Sequence, residues 1–471
     1  MVKLPDSPGA RLALRIVRLL RAHGHKAYLV GGCVRDLLLQ EPDQATDVKD
    51  WDVATSASPE QVAALIPGAK LVGASFGVVL VREGEVEVEV ATFRSEHSYL
   101  DGRHPSVVKF EAEPEQDVRR RDFTVNALLL DPDTGELLDF VGGRDDLARG
   151  VIRAIGDPVA RFNEDYLRML RAVRFAATLK TRTGDYFEIE PETLSAIQRL
   201  ACLVRRVSAE RIRDELTRIL TEGNARRGFE LLDRTGLLEV VLPQVAAMKG
   251  VEQPPEFHPE GDVWTHTLIM LELLGKPLEV LQRPTVTLAW GVLLHDVGKP
   301  ATQRFADRIR FDDHCRLGAE IAGQLMRWLR FSNAEVERVQ WLVANHLRFK
   351  DVQRMRESTL RRFLRSEGFE ELLELHRLDC LASHGDLQTY HFTKTRWQEL
   401  LQQPQRLRPP RLVTGNDLIA LGYRPGPAFR AILEAVETAQ LEDRIRSREE
   451  ALAYVRSRFA PPDGQSMSAD T

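Results

Sequence analysis

Over its first 150 residues the chain alternates short apolar runs with helical stripes, and beyond that point the helical period dominates. Residues 10–23 carry Leu12, Ile16, Leu19 and Leu20 at helical spacing, and Gly24 is placed to end that helix. Tyr28-Leu29-Val30 is a strand-type run, Gly31 and Gly32 follow at once, and residues 33–39 turn helical. A polar loop leads to a second strand, Asp50-Trp51-Asp52-Val53. Ser58 is placed to cap a helix over 59–65 with Pro59 at its first position. Residues 76–81 and 85–93 read as a hairpin around Arg82-Glu83-Gly84, and 95–106, with Gly102 and Pro105, as a polar loop. An apolar strand is expected over 127–130.

The chemistry starts between the first two strands. A glycine pair ahead of a helix lets backbone approach a bulky anion, and the helix N-terminus favours negative charge. Arg35 sits one turn into that helix, within reach of a phosphate. Side chains alternate along a strand, so Asp50 and Asp52 share one face. Such a carboxylate pair suits a surface or a divalent cation held between the two, and beside phosphates the usual ion is Mg²⁺. In Glu85-Val86-Glu87-Val88-Glu89-Val90 the acids take one face, offering Glu89 or Glu87 as a third metal-site carboxylate or a solvated face. Arg120-Arg121-Asp122-Phe123-Thr124-Val125-Asn126 gathers cations, an acid, a hydroxyl and an amide, a contact set for ribose and phosphate or a capping turn. Together these features point to metal-assisted phosphoryl or nucleotidyl transfer.

In the helical half, Asp165 and Arg168 are three residues apart, which places them side by side on one helix face, with Arg171 and Arg174 continuing the row. A carboxylate accepts from an exocyclic amine while a guanidinium donates to the neighbouring ring acceptor. Cytosine and adenine present that pattern and uracil and guanine do not, so the pair suits CTP and ATP. Alone, the same residues make an ordinary surface ion pair.

Four motifs then stand in order: Gly31-Gly32-x-Val34-Arg35-Asp36; Lys49-Asp50-Trp51-Asp52; Arg120-Arg121-Asp122-Phe123-Thr124-x-Asn126; and Glu164-Asp165-x-x-Arg168-x-x-Arg171-x-x-Arg174-Phe175. In this series the chain resembles the bacterial class II tRNA nucleotidyltransferases, the CCA-adding enzymes and the closely similar poly(A) polymerases. The resemblance implies an α+β fold: a polymerase-beta-like nucleotidyltransferase head over residues 1–150 and an all-helical neck over 151–240. An HD-type body over 241–400 and a helical tail over 401–460 follow, then a disordered end over 461–471. It implies that Asp50 and Asp52 bind Mg²⁺ and that Gly31, Gly32, Arg35, Arg121, Asp122 and Asn126 surround the nucleotide. Asp165 and Arg168 then template the base, with Arg171 and Arg174 supporting the triphosphate. The implied partners are CTP, ATP, and the 3′ end and acceptor stem of tRNA. Arg199, Arg205, Arg206, Arg211, Arg213, Arg218, Arg226 and Arg227 offer a lining for the RNA backbone or, with Glu210, Asp214 and Glu215 interleaved, a solvated helix face. The same motifs suit an enzyme adding poly(A), only the two C residues, or only the final A.

A second constellation lies further on. His266, His295-Asp296 ahead of Val297-Gly298-Lys299, then His314, His346 and Asp379 spread imidazole and carboxylate ligands over successive helices. The order His, His-Asp, late Asp resembles the HD phosphohydrolases, which implies a divalent or transition metal on His266, His295, Asp296 and Asp379, with His314 and His346 as additional groups. It also implies a phosphohydrolase activity on RNA ends, and a rival reading in which that activity is the only one and the head merely binds tRNA.

Composition adds limits. Four cysteines, far apart and without a CxxC pair, suit a reduced, cytoplasmic protein. The charged N-terminus is unlike a signal peptide, and the longest apolar run, 286–294, is too short to span a bilayer. Net charge is −5, which argues against a basic coat but leaves room for a local basic groove.

Overall fold

A computed structural model describes residues 4–40, 48, 50–71, 77–99 and 105–459, with only the backbone of 96–99 and 105–108. Lys49, Phe76 and the segment 461–471 lie outside the described residues. The first helix, Pro8–Ala22, is capped by Ser7 and buries Leu12, Ile16 and Leu20 against a mixed sheet. The strands, in chain order, are β1 (Ala27–Val30), β2 (Trp51–Thr55), β3 (Lys70–Leu71), β4 (Val78–Glu83), β5 (Val86–Thr92), β6 (Arg94–Tyr99), β7 (Pro105–Phe110), β8 (Leu129–Leu130) and β9 (Leu137–Leu138). Seven of them form one sheet in the order β3-β4-β5-β2-β1-β8-β9. Within it β2 runs parallel to β5 and antiparallel to β1, which sets Asp52 directly across from Glu89.

The expected helix at Pro59–Leu65 is present, with a reciprocal capping box between Ser58 and Gln61. The expected hairpin is β4–β5. Of the stretch 95–106, residues 100–104 lie outside the described residues, and the rest is strand and not loop: β6 and β7 pair as an antiparallel ribbon, Ser95 opposite Lys109. Backbone pairing holds this polar segment without an apolar pattern, so its sequence carries no strand signal. Residues 124–126 form a short 3-10 turn before β8, in place of a strand starting at 127.

Beyond Gly150 helices dominate, joined by two short sheets, Val151–Ile152 with Glu188–Ile189 and Gln303–Phe305 with Ile309–Phe311. One continuous core runs from the first helix to Leu407. The last three helices, Gly415–Ala420, Pro427–Leu441 and Arg448–Arg458, enclose a separate cluster around Leu418, Ile432, Val436 and Val455. Arg361, almost fully buried, ties that cluster to the body through Asp443 at 2.7 Å. No helix among the described residues is long and apolar enough to cross a membrane.

One glycine deserves a test because a turn of the site rests on it. A Cβ on Gly143 would sit 2.2 Å from the carbonyl oxygen of Thr124, in the turn that also carries Asn126. Gly143→Ala is expected to lower folding stability by about 1–3 kcal/mol through overpacking, read as a lower urea midpoint; an unchanged midpoint contradicts the close approach.

Candidate functional site

Gly31 ends β1 and caps the Gly32–Leu39 helix with φ 77°, a conformation that favours glycine. A Cβ there would lie 3.3 Å from Oδ2 of Asp52 and 3.4 Å from Nη1 of Arg121. The glycine is therefore where backbone, acid and guanidinium converge. Asp52 is half-buried in β2 and Asp50 is exposed just ahead of it. Burial, then the neighbouring charges of Glu89 and Asp50, push the Asp52 carboxyl up to about 6, against the pull of Arg121 and Arg35. Burial and the charges of Glu87 and Asp50 raise Glu89 as well. The like charges of Asp50 and Glu89 around Asp52 fit a bound dication, which relieves that repulsion.

The cations opposite are held by a network. Arg35 donates to Asn126 Oδ1 at 2.7 Å and to Asp36 at 2.7 Å. Asn126 donates to Asp122 Oδ1 at 3.2 Å, and Arg171 donates twice to Asp122 Oδ2, at 2.8 and 2.6 Å. Arg121 is braced by buried Asp117 at 3.0 Å. Burial raises the Asp122 carboxyl, but the charge and hydrogen bonds of Arg171, with Arg168 and Asn126, outweigh it and bring it down to about 2. Arg174 is buried and donates to Glu215 at 2.6 Å. The guanidiniums of Arg35, Arg171 and Arg174 all stand over the Phe175 ring, at 5.2, 5.2 and 4.1 Å.

One expectation fails locally. Asp165 and Arg168 do not share a helix face: the Pro158–Glu164 helix ends before Asp165, whose φ of −151° is extended, and the next helix spans Leu167–Thr178. Asp165 accepts the backbone N–H of Leu167 and is clasped by Arg211 at 3.1 and 2.7 Å, while Arg168 is fixed by Glu164 at 2.5 Å and the carbonyl of Arg120 at 3.1 Å. Arg211, expected along RNA, thus positions Asp165. Arg226 and Arg227 likewise spend their charge internally, on Glu272 and Glu188.

Both couples nonetheless line one cavity of about 1340 Å³, with Gly31, Gly32, Arg35 and Arg121 on the same walls. Asp122, Asn126, Arg171 and Arg174 also border it. Glu89 sits beside Asp52 in register without being part of the lining. Arg283 and Thr285, from the loop ahead of the Val286–Leu294 helix, close the far wall, a contribution the sequence motifs did not announce.

The second constellation also assembles. His266 is wholly buried, its Nε2 3.2 Å from Asp379 Oδ1. His295 Nε2 lies 3.1 Å from Asp296 Oδ2, and His314 and His346 face Asp296 Oδ1. Gly298 makes this possible: a Cβ there would meet the carbonyl of His314 at 2.2 Å, so the turn after Asp296 packs directly on the His314–Trp328 helix. His266 Nε2, His295 Nε2 and Asp296 Oδ1 are buried with no hydrogen-bond partner among the described residues, the donor set a cation would satisfy. Sequence reasoning missed Glu260, which accepts from His266 at 2.6 Å and His258 at 2.9 Å, and the bond of Lys299 to Asp296 at 2.6 Å. The run of polar residues just before the His266 helix was the available signal.

Three family models match the chain: the Poly A polymerase head domain over residues 27–153, the Probable RNA and SrmB- binding site of polymerase A over 186–249, and the HD domain over 263–380. Nucleotidyltransferase and HD domains generally use divalent metals. The CCA-adding enzyme of Enterococcus faecalis is 32% identical over 444 residues, covering 93% of this chain and 94% of that protein. The CCA-adding enzyme of Streptococcus gordonii is 40% identical over 266 residues, 55% of this chain and 64% of that one, so the match spans less than two thirds of that relative. A crystal structure of the Bacillus stearothermophilus CCA-adding enzyme in complex with CTP superposes with a TM-score of 0.68 at 27% identity, covering 96% of this chain and 98% of that one.

The Asp122–Arg171 pair makes a pH prediction. A carboxyl at about 2 in the folded chain and about 3.9 when unfolded contributes stability that is complete above roughly pH 4 and lost as pH falls through the folded value. Asp122→Asn removes that contribution, on the order of 2 kcal/mol. Urea unfolding of the unmodified protein is expected to weaken more steeply than that of the variant between roughly pH 4 and 2; parallel slopes contradict the pairing.

Proposed function

The chain belongs to the family of CCA-adding enzymes, and on that premise we propose that it adds C, C and A to the 3′ end of tRNA from CTP and ATP, without a nucleic-acid template, releasing pyrophosphate. The observation that carries this reading is the shared cavity: Asp50 and Asp52 line the same walls as Asp165 and Arg168. Residues 1–150 serve as the transfer head, 151–240 as the neck that selects the base, 241–400 as the HD body and 401–460 as the tail.

In this reading Asp50 and Asp52, with Glu89 alongside, hold Mg²⁺. When bound, Mg²⁺ lowers the pKa of the RNA 3′-hydroxyl and screens the charge of the triphosphate. The chain's own groups do the rest. The backbone at Gly31 and Gly32 admits the phosphates closely, at the start of a helix that favours an anion. Arg35 and Arg121 neutralise charge on the departing pyrophosphate, and the networks behind them keep both forks in place without reorganisation. Asp165, oriented by Arg211, accepts from the exocyclic amine of cytosine or adenine, and Arg168 donates to the ring nitrogen beside it. The in-line attack forms one phosphoester bond and breaks one phosphoanhydride bond. Arg171 and Arg174 act one layer back: Arg171 is bound to Asp122 and Arg174 to Glu215, so they brace the cavity as much as they attract phosphate.

A second activity is supported by its own observation, the unpartnered buried atoms of His266, His295 and Asp296. We propose that the HD body holds a divalent transition metal on His266, His295, Asp296 and Asp379 and hydrolyses phosphate esters at RNA ends.

The tests are direct. Purified protein is given tRNA lacking CCA, CA or A, with one labelled nucleotide at a time. The expectation is C incorporation on the first two and A on the third; a run of A residues identifies a poly(A) polymerase, and activity confined to the first two acceptors or to the third identifies a partial adder. Asp50→Ala is expected to abolish transfer by at least about 10³-fold with tRNA binding retained, and residual transfer at the original rate overturns the assignment. Asp165→Ala or Arg168→Ala is expected to relax discrimination against UTP and GTP by roughly 10-fold or more, the 1–3 kcal/mol of a bidentate base contact; unchanged selectivity removes the templating role. His295→Ala is expected to lose phosphate release from RNA ends while keeping nucleotide addition. Loss of both activities with the fold intact favours a single shared site instead.

A further inference from the structure

We propose that Arg283 and Arg330, two arginines of the body, grip backbone phosphates of the RNA end: Arg283 inside the cavity of Asp50 and Asp52, Arg330 in the groove beside it. This rests on the nucleotide-addition reading and gives the body a substrate-binding role in that reaction.

The cations of the cavity are nearly all neutralised from within. Every other guanidinium on its walls lies 3.0 Å or less from a carboxylate. Arg283 is exposed on the same walls and has no hydrogen bond or ion pair among the described residues. A free guanidinium is a planar fork that matches phosphate. The triphosphate already has its own place at the Gly31–Gly32 backbone, Arg35 and Arg121. The cavity, about 1340 Å³, also exceeds the roughly 300–1,000 Å³ of a site for one small molecule. The second substrate of the reaction is the RNA end, which brings its 3′-hydroxyl in with phosphates trailing behind it.

The segment that carries Arg283 is braced on both sides. Glu374, wholly buried, accepts the backbone N–H of Val280 at 3.0 Å. Glu371 accepts from the hydroxyl of Thr285 and from that of Thr287 at 2.6 Å. Pro284 fixes the backbone angle next to Arg283. A charge on so short and anchored a segment loses little freedom when a phosphate arrives.

A groove of about 710 Å³ adjoins the cavity, and Arg218 and Val286 line both. Arg213, Arg330 and Phe331 complete its walls. Trp290 donates its indole N–H to Thr217 at 3.1 Å and packs on Phe331 with ring centroids 5.2 Å apart, which locks neck to body along the groove. Arg213 donates to the carbonyl of Arg330 at 2.7 Å, and its charge is met by Asp214 at 2.8 Å. The Arg330 guanidinium is exposed and, like that of Arg283, has no hydrogen bond or ion pair among the described residues. Its φ of 62° is left-handed, at a turn after a helix where glycine is the usual residue. An arginine there retains a side chain that the backbone does not favour. Arg211, Arg213 and Arg218, which the sequence offers to RNA, each face an acid instead. The unspent charge comes from the body, brought alongside by folding.

The test reads salt dependence. Fluorescent tRNA lacking CCA is titrated by anisotropy with the full-length protein and with Arg283→Gln, Arg330→Gln and Arg283→Lys over a range of KCl, and steady-state addition is measured in parallel. Each Gln substitution is expected to weaken tRNA binding and to flatten the slope of log affinity against log salt by about 0.7, one phosphate of a single strand. KM for tRNA rises with it, while KM for CTP at saturating tRNA does not change. Arg283→Lys restores the slope, because the charge returns without the fork. Circular dichroism verifies that each variant folds. A raised KM for CTP with tRNA affinity unchanged assigns Arg283 to the triphosphate and overturns the proposal, as does a slope untouched by either Gln substitution. Unmodified protein that binds tRNA, with the expected slope changes in the variants, but adds no nucleotide overturns the addition reading and leaves the phosphate contacts standing. Absence of tRNA binding by the unmodified protein overturns both.

Discussion

Asp122 is the joint on which the rest of the molecule turns. It is buried between the sheet-bearing head and the helix that carries Arg168, Arg171 and Arg174, and it accepts from both sides: Asn126 from the head, Arg171 from the neck. The chain of contacts continues outward, from Asn126 to Arg35 in one direction and from Arg171 past Glu215 to Arg174 in the other. Removing Asp122 from this pair costs on the order of 2 kcal/mol and leaves the Arg171 guanidinium without its counter-charge. The network is therefore stable only as a whole, and it fixes the orientation of the neck helix against the head. Phe175, with three guanidiniums over its ring, supplies the apolar pivot of the same joint.

That docking has a functional consequence. The Asp50–Asp52 couple and the Asp165–Arg168 couple serve one reaction only if one substrate spans them. The cavity provides the space, and the loop carrying Arg283 and Thr285 closes it from the body. That loop is tied to the Phe369–Ala382 helix through Thr285 and Glu371. Asp379 of the histidine cluster lies on that same helix. The cavity of Asp50 and Asp52 and that of the histidine cluster are thus separate, built on shared scaffolding.

What the sequence made legible follows from distance along the chain. Gly31, Gly32, Asp50 and Asp52 were readable because strand alternation and the strand-to-helix turn are local rules. The capping box at Ser58 and the hairpin of β4 and β5 were local as well. Asp165 was misplaced because nothing in its neighbours marks the end of the preceding helix; the break is stabilised by Arg211, 46 residues later. The β6–β7 ribbon was missed because its pairing lies in the backbone, while its polar side chains mimic a loop. Glu260 and Lys299 became visible as site residues only once the fold brought them against His266 and Asp296.

The most direct measurement of the central claim is anomalous diffraction from crystals of the protein holding Mn²⁺ and CTP. The account predicts an anomalous peak at Asp50 and Asp52 touching the triphosphate, and the exocyclic amine of the same CTP against the carboxylate of Asp165. A metal peak at the acid couple with the cytosine turned away from Asp165 and Arg168 would contradict it.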